Sequence, residues 1–218
     1  MRFRPINRVL GYLLQISESV ELSEFKKILV TGGAGFVGSH LVENLVAGDF
    51  EVTVADNLST GKIGNLADAS KSGKVKFVKG DIRDKAFVND ALQGVDAVFH
   101  LAAIISVPYS LRYPEKTYAV NVEGTRNLLE ASLRNSVARF VYVSSCAIYG
   151  EPKYLPIDEA HPKNPISPYA QSKLEAEKLC LDVQRTRGLE TVILRPFNIY
   201  GPRQQDNQYG GVIAKFIK

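Results

Sequence analysis

No stretch of this sequence approaches the roughly 18 consecutive apolar residues of a membrane-crossing helix, so a membrane protein is not expected. Cysteine is scarce. Cys146 and Cys180 are the two, and their separation fits neither a metal-ligand pair nor a redox pair, which points to a reducing, cytoplasmic setting without a metal. Low-complexity tracts and internal repeats are also missing. Charge of one sign is nowhere concentrated: the 27 Lys and Arg and 23 Asp and Glu are scattered and leave a net +4. That distribution gives no nucleic-acid footprint, though it suits an anionic substrate.

What is present is a chain of 218 residues, 45% of them hydrophobic, enough for one full core and part of a second domain. Residues 1–25 stand apart. They begin basic, but Gly11 and Gln15 break the apolar stretch, Glu18, Glu21 and Glu24 follow, and no small-residue cleavage site appears. A short, partly helical extension is expected there rather than a targeting peptide.

From Lys26 onward two periods alternate. KKILV (26–30), EVTVAD (51–56), KVKFVKGDI (74–82), VDAVFHLAA (95–103), RFVYVSS (139–145) and ETVILRPFN (190–198) read as strands apolar on both faces, as buried parallel strands are. Between them SHLVENLVAG (39–48), EGTRNLLEASLRNS (123–136) and KLEAEKLCLDVQRTRG (173–188) read as helices. The series predicts an α/β fold with a doubly wound, Rossmann-like parallel sheet and right-handed crossovers.

In such a sheet a ligand is expected at the carboxyl ends of the strands. The first strand runs into TGGAGFVGSH (31–40), where Gly32, Gly35 and Gly38 fit a tight turn, close approach to a pyrophosphate, and close helix–strand packing. Asp56, ending the second strand, stands where a carboxylate takes adenosine ribose hydroxyls. The combination predicts dinucleotide binding. A 2′-phosphate would meet the Asp56 charge, and no Arg follows in DNLSTG, so NAD is expected over NADP. A plain turn capped by Asp56 and Asn57 is the alternative.

The run SPYAQSK (167–173) opens a further helix with Tyr169 and Lys173 on one face, a turn apart. Such a pair is often only an aromatic ring against a lysine stem. A tyrosine that is to serve as a base at neutral pH, however, must have its anion favoured by about 3 pKa units, and a neighbouring cation is suited to that.

TGGAGFVG (31–38), GDI (80–82), HLAA (100–103), NVEGT (121–125), SSCAIYG (144–150), YAQSK (169–173) and LRPFNIYGP (194–202) together resemble the extended short-chain dehydrogenase/reductase family, and within it nucleotide-sugar epimerases of the UDP-glucose 4-epimerase type. The resemblance implies a UDP-hexose substrate and a homodimer. It implies that Phe36 and Val37 lie against the pyrophosphate, that Asn57, Ser59, Thr60 and Gly61 surround the adenosine ribose, and that Asp81 and Ile82 contact the adenine. Leu101, Ala102 and Ala103 would line the central part of the cofactor site, with Pro196 and Phe197 near the nicotinamide. Asn198 would reach the sugar nucleotide. Asn121 would stand on the cofactor side, with a structural role equally open, and His100 is expected to be structural.

The same resemblance implies that Ser145 orients the reacting hydroxyl, Tyr169 is the base and Lys173 binds the nicotinamide ribose, giving epimerisation at C4 through a 4-keto sugar. Related 4,6-dehydratases carry Asp and Glu immediately after the Ser/Thr. Here Cys146 and Ala147 stand in those places, which favours the epimerase; a dehydratase, a decarboxylase or a non-catalytic NAD-binding module are the alternatives. The expected organisation is an extension over 1–25, an NAD-binding domain over 26–203, and the opening of a truncated substrate-binding region over 204–218, the C-terminal substrate domain being largely absent.

Overall fold

The computed structural model describes residues 25–204. The expected N-terminal extension and C-terminal region therefore lie almost entirely outside the described residues. Six strands, β1 (Lys27–Thr31), β2 (Glu51–Asp56), β3 (Val75–Lys79), β4 (Ala97–His100), β5 (Arg139–Val143) and β6 (Glu190–Leu194), form one sheet in the order β3-β2-β1-β4-β5-β6. Every neighbouring pair is parallel. The connecting helices are α1 (Phe36–Ala47), α2 (Ala67–Ser70), α3 (Lys85–Ala91), α4 (Val107–Arg112), α5 (Pro114–Tyr118), α6 (Gly124–Arg134) and α7 (Pro168–Arg187). This is the doubly wound Rossmann-like order, and its direction reverses between β1 and β4.

Alternation along β1 shows why the strands are apolar throughout. Ile28 and Val30 join a cluster with Leu41, Val42, Leu45, Val52 and Val54, whereas Leu29 joins the opposite cluster with Val98, Leu128, Leu129 and Phe140. Both faces are covered, so neither can be polar.

The expected runs match all six strands but overrun several carboxyl ends. LAA continues past β4 and SS past β5: Leu101 N and Ser144 N still donate to Thr31 O and Leu194 O, at 3.2 and 2.7 Å, before the chain leaves the sheet. Short helices α2 to α5 were not anticipated, being too brief to display a helical period. Helix α7 begins where the sequence places it: the Ser167 hydroxyl accepts from Ala170 N at 3.2 Å and Pro168 follows at the first helical position. Such a cap stabilises by about 1 kcal/mol. Gly188, at φ 75°, ends the helix in the left-handed conformation.

Candidate active site

The turn from β1 to α1 is built by backbone packing. Gly32 has φ +69°, and an added Cβ would stand 2.8 Å from Ala102 N. At Gly38 a Cβ would meet the Gly32 carbonyl oxygen at 2.2 Å, so α1 rests directly on the turn. At Gly35 it would meet only that same oxygen, at 3.1 Å, leaving the other side of the residue open. Gly35 caps α1 without any side-chain acceptor, and the first turn of α1 carries no acid. The amides of Phe36, Val37 and Gly38 therefore point out of the helix without an intrahelical acceptor, a cradle of the kind that holds a phosphate.

Asp56, 8% exposed, closes one side of this cradle. Its Oδ2 accepts from Ala34 N at 3.0 Å and its Oδ1 from Leu58 N at 2.8 Å, so the carboxylate is fixed and keeps lone pairs for further donors. Gly61 packs close, since a Cβ there would stand 3.0 Å from Asp56 Oδ2. Asn57 and Ser59 lie exposed in the same loop, joined by a bond from Ser59 N to Asn57 Oδ1 of 2.9 Å, and Thr60 is likewise exposed. Asp81 and Ile82 follow β3 beside this loop, with Ile82 buried. Leu101, Ala102 and Ala103 follow β4, half-buried, over the reversal of the sheet.

The other half of the crevice lies above β5 and α7. Ser145 follows β5 and caps a single 3-10 turn, Cys146–Tyr149, its Oγ accepting from Ala147 N at 3.2 Å. That leaves its hydroxyl proton to be donated outward. Tyr169 is 9% exposed. Burial raises its phenol above the ordinary tyrosine value, and the Ser145 hydroxyl pulls in the opposite direction. Lys173, 3% exposed, sets its Nζ 4.5 Å from the centre of the Tyr142 ring, and among the described residues it makes no ion pair. Burial lowers it to about 7, against the raising influence of Cys180 and Glu177. Ser145, Tyr169 and Lys173 thus share one end of the β5–α7 layer. Cys146 N donates to Pro196 O at 3.1 Å, bringing Pro196 beside them, while Phe197 and Asn198 lie exposed just beyond.

His100 is buried between Thr31 Oγ1, 2.7 Å from Nδ1, and Thr125 Oγ1, 2.9 Å from Nε2. Burial, then the Lys173 charge, lowers it to about 3, so the imidazole is neutral. Asn121 sits in a π-helical turn, Ala119–Glu123, between α5 and α6. Its amide pairs with both backbone groups of Ile104, at 2.8 and 2.9 Å, and donates to Ser172 Oγ at 3.0 Å. These bonds tie the segment after β4 to α7.

Several residues with a place here were missed. Glu177, 1% exposed, accepts both arms of the Arg195 guanidinium at 3.0 and 2.9 Å, and Arg195 also donates to Tyr149 Oη at 2.9 Å. The signal was available: Glu177 follows Lys173 by four, on the face already assigned to Tyr169. Ser110 Oγ accepts from Tyr169 N at 3.1 Å, a contact between residues 59 apart that no local pattern announces. Arg83 pairs with Asp81 beside Asn57, so an arginine does approach the loop that follows Asp56, from the end of β3 rather than that of β2.

The model of the NAD dependent epimerase/dehydratase family matches residues 28–218. The chain belongs to that family. Members at comparable distance carry both activities of the family name. A UDP-glucose 4-epimerase of Lactobacillus helveticus is 42% identical over 177 residues, covering 80% of this chain and 52% of its own length. A dTDP-glucose 4,6-dehydratase of an Actinoplanes species is 42% identical over 186 residues, covering 82% and 58%. The crystal structure of the Thermus thermophilus UDP-glucose 4-epimerase in complex with NAD superposes with a TM-score of 0.81 at 43% identity, covering 87% of this chain and 61% of that one. This chain thus spans between half and two thirds of the length of these family members. NAD is the cofactor of the family, and the open side of Gly35, the uncapped amides of α1 and the fixed Asp56 carboxylate form a cradle that fits it. Among the described residues no group of His, Cys, Asp or Glu is placed to hold a metal, and no helix is long and apolar enough to cross a membrane.

Proposed function

We propose that this chain carries the cofactor and catalytic half of an NAD-dependent nucleotide-sugar 4-epimerase acting on a UDP-hexose. The carrying observation is the pair that follows Ser145. A 4,6-dehydratase must also move a proton for loss of water, whereas Ala147 has no titratable group and burial raises the half-buried Cys146 thiol above its ordinary value. Both epimerase and dehydratase relatives support the oxidation that the two reactions share.

In this reading the amides of Phe36, Val37 and Gly38, beside Gly32 and Gly35, hold the pyrophosphate, and Asp56 takes the adenosine ribose with Asn57, Ser59, Thr60 and Gly61 around it. Asp81 and Ile82 flank the adenine, Leu101 to Ala103 the middle of the site, and Pro196 and Phe197 the nicotinamide end. Bound NAD supplies the hydride acceptor and, on return, the donor. Ser145 donates to the sugar's 4-oxygen and orients it, Tyr169 takes the proton of the 4-hydroxyl, and Asn198 holds the sugar nucleotide. The 4-keto sugar then presents its other face and Tyr169 returns the proton. Lys173 binds the nicotinamide ribose from beneath Tyr169.

The pKa directions refine this scheme. In the protein alone burial opposes the phenolate and the Ser145 hydroxyl favours it, so the further shift that base chemistry needs is assigned to nearby cations, Lys173 and the positive charge of the oxidised cofactor together.

The remaining sugar-binding surface, and any pairing of two copies, belong to the same proposal. Because the relatives are longer, turnover by these 218 residues alone is expected to be slow or absent unless another chain supplies the missing contacts, which orient the sugar. Incubating the chain, alone and joined to the C-terminal region of a longer family member, with UDP-glucose and UDP-galactose and separating the products tests the reading. Interconversion supports it; a 4-keto-6-deoxy product reverses it in favour of the dehydratase. In the active form Tyr169→Phe is expected to lower turnover by a factor of about 10² to 10⁴, and wild-type turnover in that variant would remove Tyr169 as the base.

A further inference from the structure

Asp81 Oδ2 accepts from Arg83 Nη2 at 2.8 Å and from Asn57 Nδ2 at 3.1 Å, so one oxygen joins Arg83 to the loop that follows Asp56. Asp81 Oδ1 accepts from the backbone N and from Nε of Arg83, both at 2.9 Å. A carboxylate offers about four acceptor positions, and here all are taken. The turn carrying the pair is held from outside. Asn127 Nδ2 donates to the carbonyls of Ile82 and Arg83 at 3.1 and 3.2 Å, Asp84 N donates to Asp81 O at 3.0 Å, and a Cβ on Gly80 would stand 2.3 Å from the Phe87 ring. The Arg83 side chain is itself 51% exposed, against 27% for Asp81, so it is the pairing and not burial that directs Nε and Nη2 of its fork. The bond from Arg83, working against partial burial, brings the Asp81 carboxyl down to about 2, so it stays charged at physiological pH.

We propose that Asp81 sets the choice between NAD and NADP by sequestering Arg83: the fork that would otherwise receive a 2′-phosphate on the adenosine ribose is turned onto an internal carboxylate. A guanidinium is the side chain best matched to a phosphate, and two hydrogen bonds through Asp81 separate it from the residue next to Asp56. With Nε and Nη2 of that fork turned onto Asp81, the loop after Asp56 presents the Asp56 charge and no bidentate guanidinium to receive a 2′-phosphate. Selectivity is thus shared between a carboxylate that repels and a second one that masks. The proposal rests on the placement of the ribose at Asp56.

Calorimetric titration with NAD and with NADP tests it on the wild-type chain and on Asp81→Asn, Asp81→Ser, Arg83→Ala and Asp81→Asn/Arg83→Ala. Either Asp81 variant is expected to raise the NADP-to-NAD affinity ratio about tenfold, with the double variant returning to the wild-type ratio. Any contact of Asp81 with adenine affects both dinucleotides alike and cancels in the ratio. A ratio unchanged in both Asp81 variants, or a rise that persists without Arg83, overturns the proposal. Asp56→Ala checks the ribose placement separately: NAD affinity should fall, and an unchanged affinity overturns the placement. A fall there beside an unchanged ratio in the Asp81 variants overturns the masking alone.

Discussion

The two halves of the sheet reach the same crevice by different means. Around β1, β2 and α1 the site is made of backbone: glycines at close approach, uncapped amides and one fixed carboxylate over an aliphatic cluster. Around β4, β5, β6 and α7 it is made of buried polar side chains, His100, Asn121, Lys173 and Glu177, each satisfied by a group far away in sequence or held over an aromatic ring. The first construction tolerates no added atom. The second tolerates no lost partner. One half suits a ligand whose phosphates are recognised by shape and amide direction; the other suits chemistry, which needs ionisable groups held away from water.

The sharpest way to break the contrast is to remove a partner from the polar half. Glu177→Ala leaves the Arg195 guanidinium, aimed into the protein, without its carboxylate, and is expected to cost about 3–5 kcal/mol in chemical denaturation, with Arg195→Ala/Glu177→Ala costing less than the sum of the singles. An additive double variant would show that the two do not act as a pair.

Adding an atom to the backbone half comes next. In Gly38→Ala the new Cβ would meet the Gly32 carbonyl oxygen and the Gly33 Cα, at 2.2 and 2.7 Å, and neither neighbour is a flexible side-chain end. A loss of about 2–3 kcal/mol is expected, with NAD affinity falling further than stability because the turn itself must move. An Ala at Gly73, whose surroundings are open but whose φ is +72°, serves as a control for conformation without crowding.

A last effect, read as a slope against pH, has the opposite sign. Lys173 is lowered to about 7 by burial, while the unfolded chain keeps a lysine near 10.5. Between those values the unfolded state binds the additional proton, so the native state gains stability as pH rises from about 7 to 10.5, and the penalty is complete below about 7. Lys173→Met should therefore stabilise the cofactor-free protein at pH 7 and flatten that rise. An unaltered pH slope in Lys173→Met would show that the lysine is not desolvated as described.

The contrast also explains what was legible beforehand. Glycines at fixed offsets, a strand before them and a helix after are local facts, so the cradle from Gly32 to Gly38 and Asp56 could be read directly. Tyr169 and Lys173 are a local fact too, four residues apart on one helix. Their supports are not: Asn121 and Ser172 meet across 51 residues, and Arg195 reaches Glu177 from beyond the end of β6. A pairing fixed by tertiary packing leaves no period in the sequence. Asp81 and Arg83 lie two apart, but their link to Asn57 exists only because β2 and β3 are neighbours in register, Asp56 opposite Lys79.

The imidazole of His100 has one more property, which concerns direction. The carbonyl of Asn121 can only accept, and it takes the single hydroxyl proton of Thr125 at 2.7 Å. Thr125 must therefore receive from Nε2, so the neutral ring carries its hydrogen there and Nδ1 receives from Thr31. Thr31 in turn receives from Ala102 N at 3.2 Å. From Ala102 through the ring to Asn121 every hydrogen points the same way, and reversing any one would set two donors or two acceptors face to face. The line is a molecular ratchet for orientation: it ties the strand end at Ala102 to the turn at Asn121 with a polarity that the main chain itself dictates.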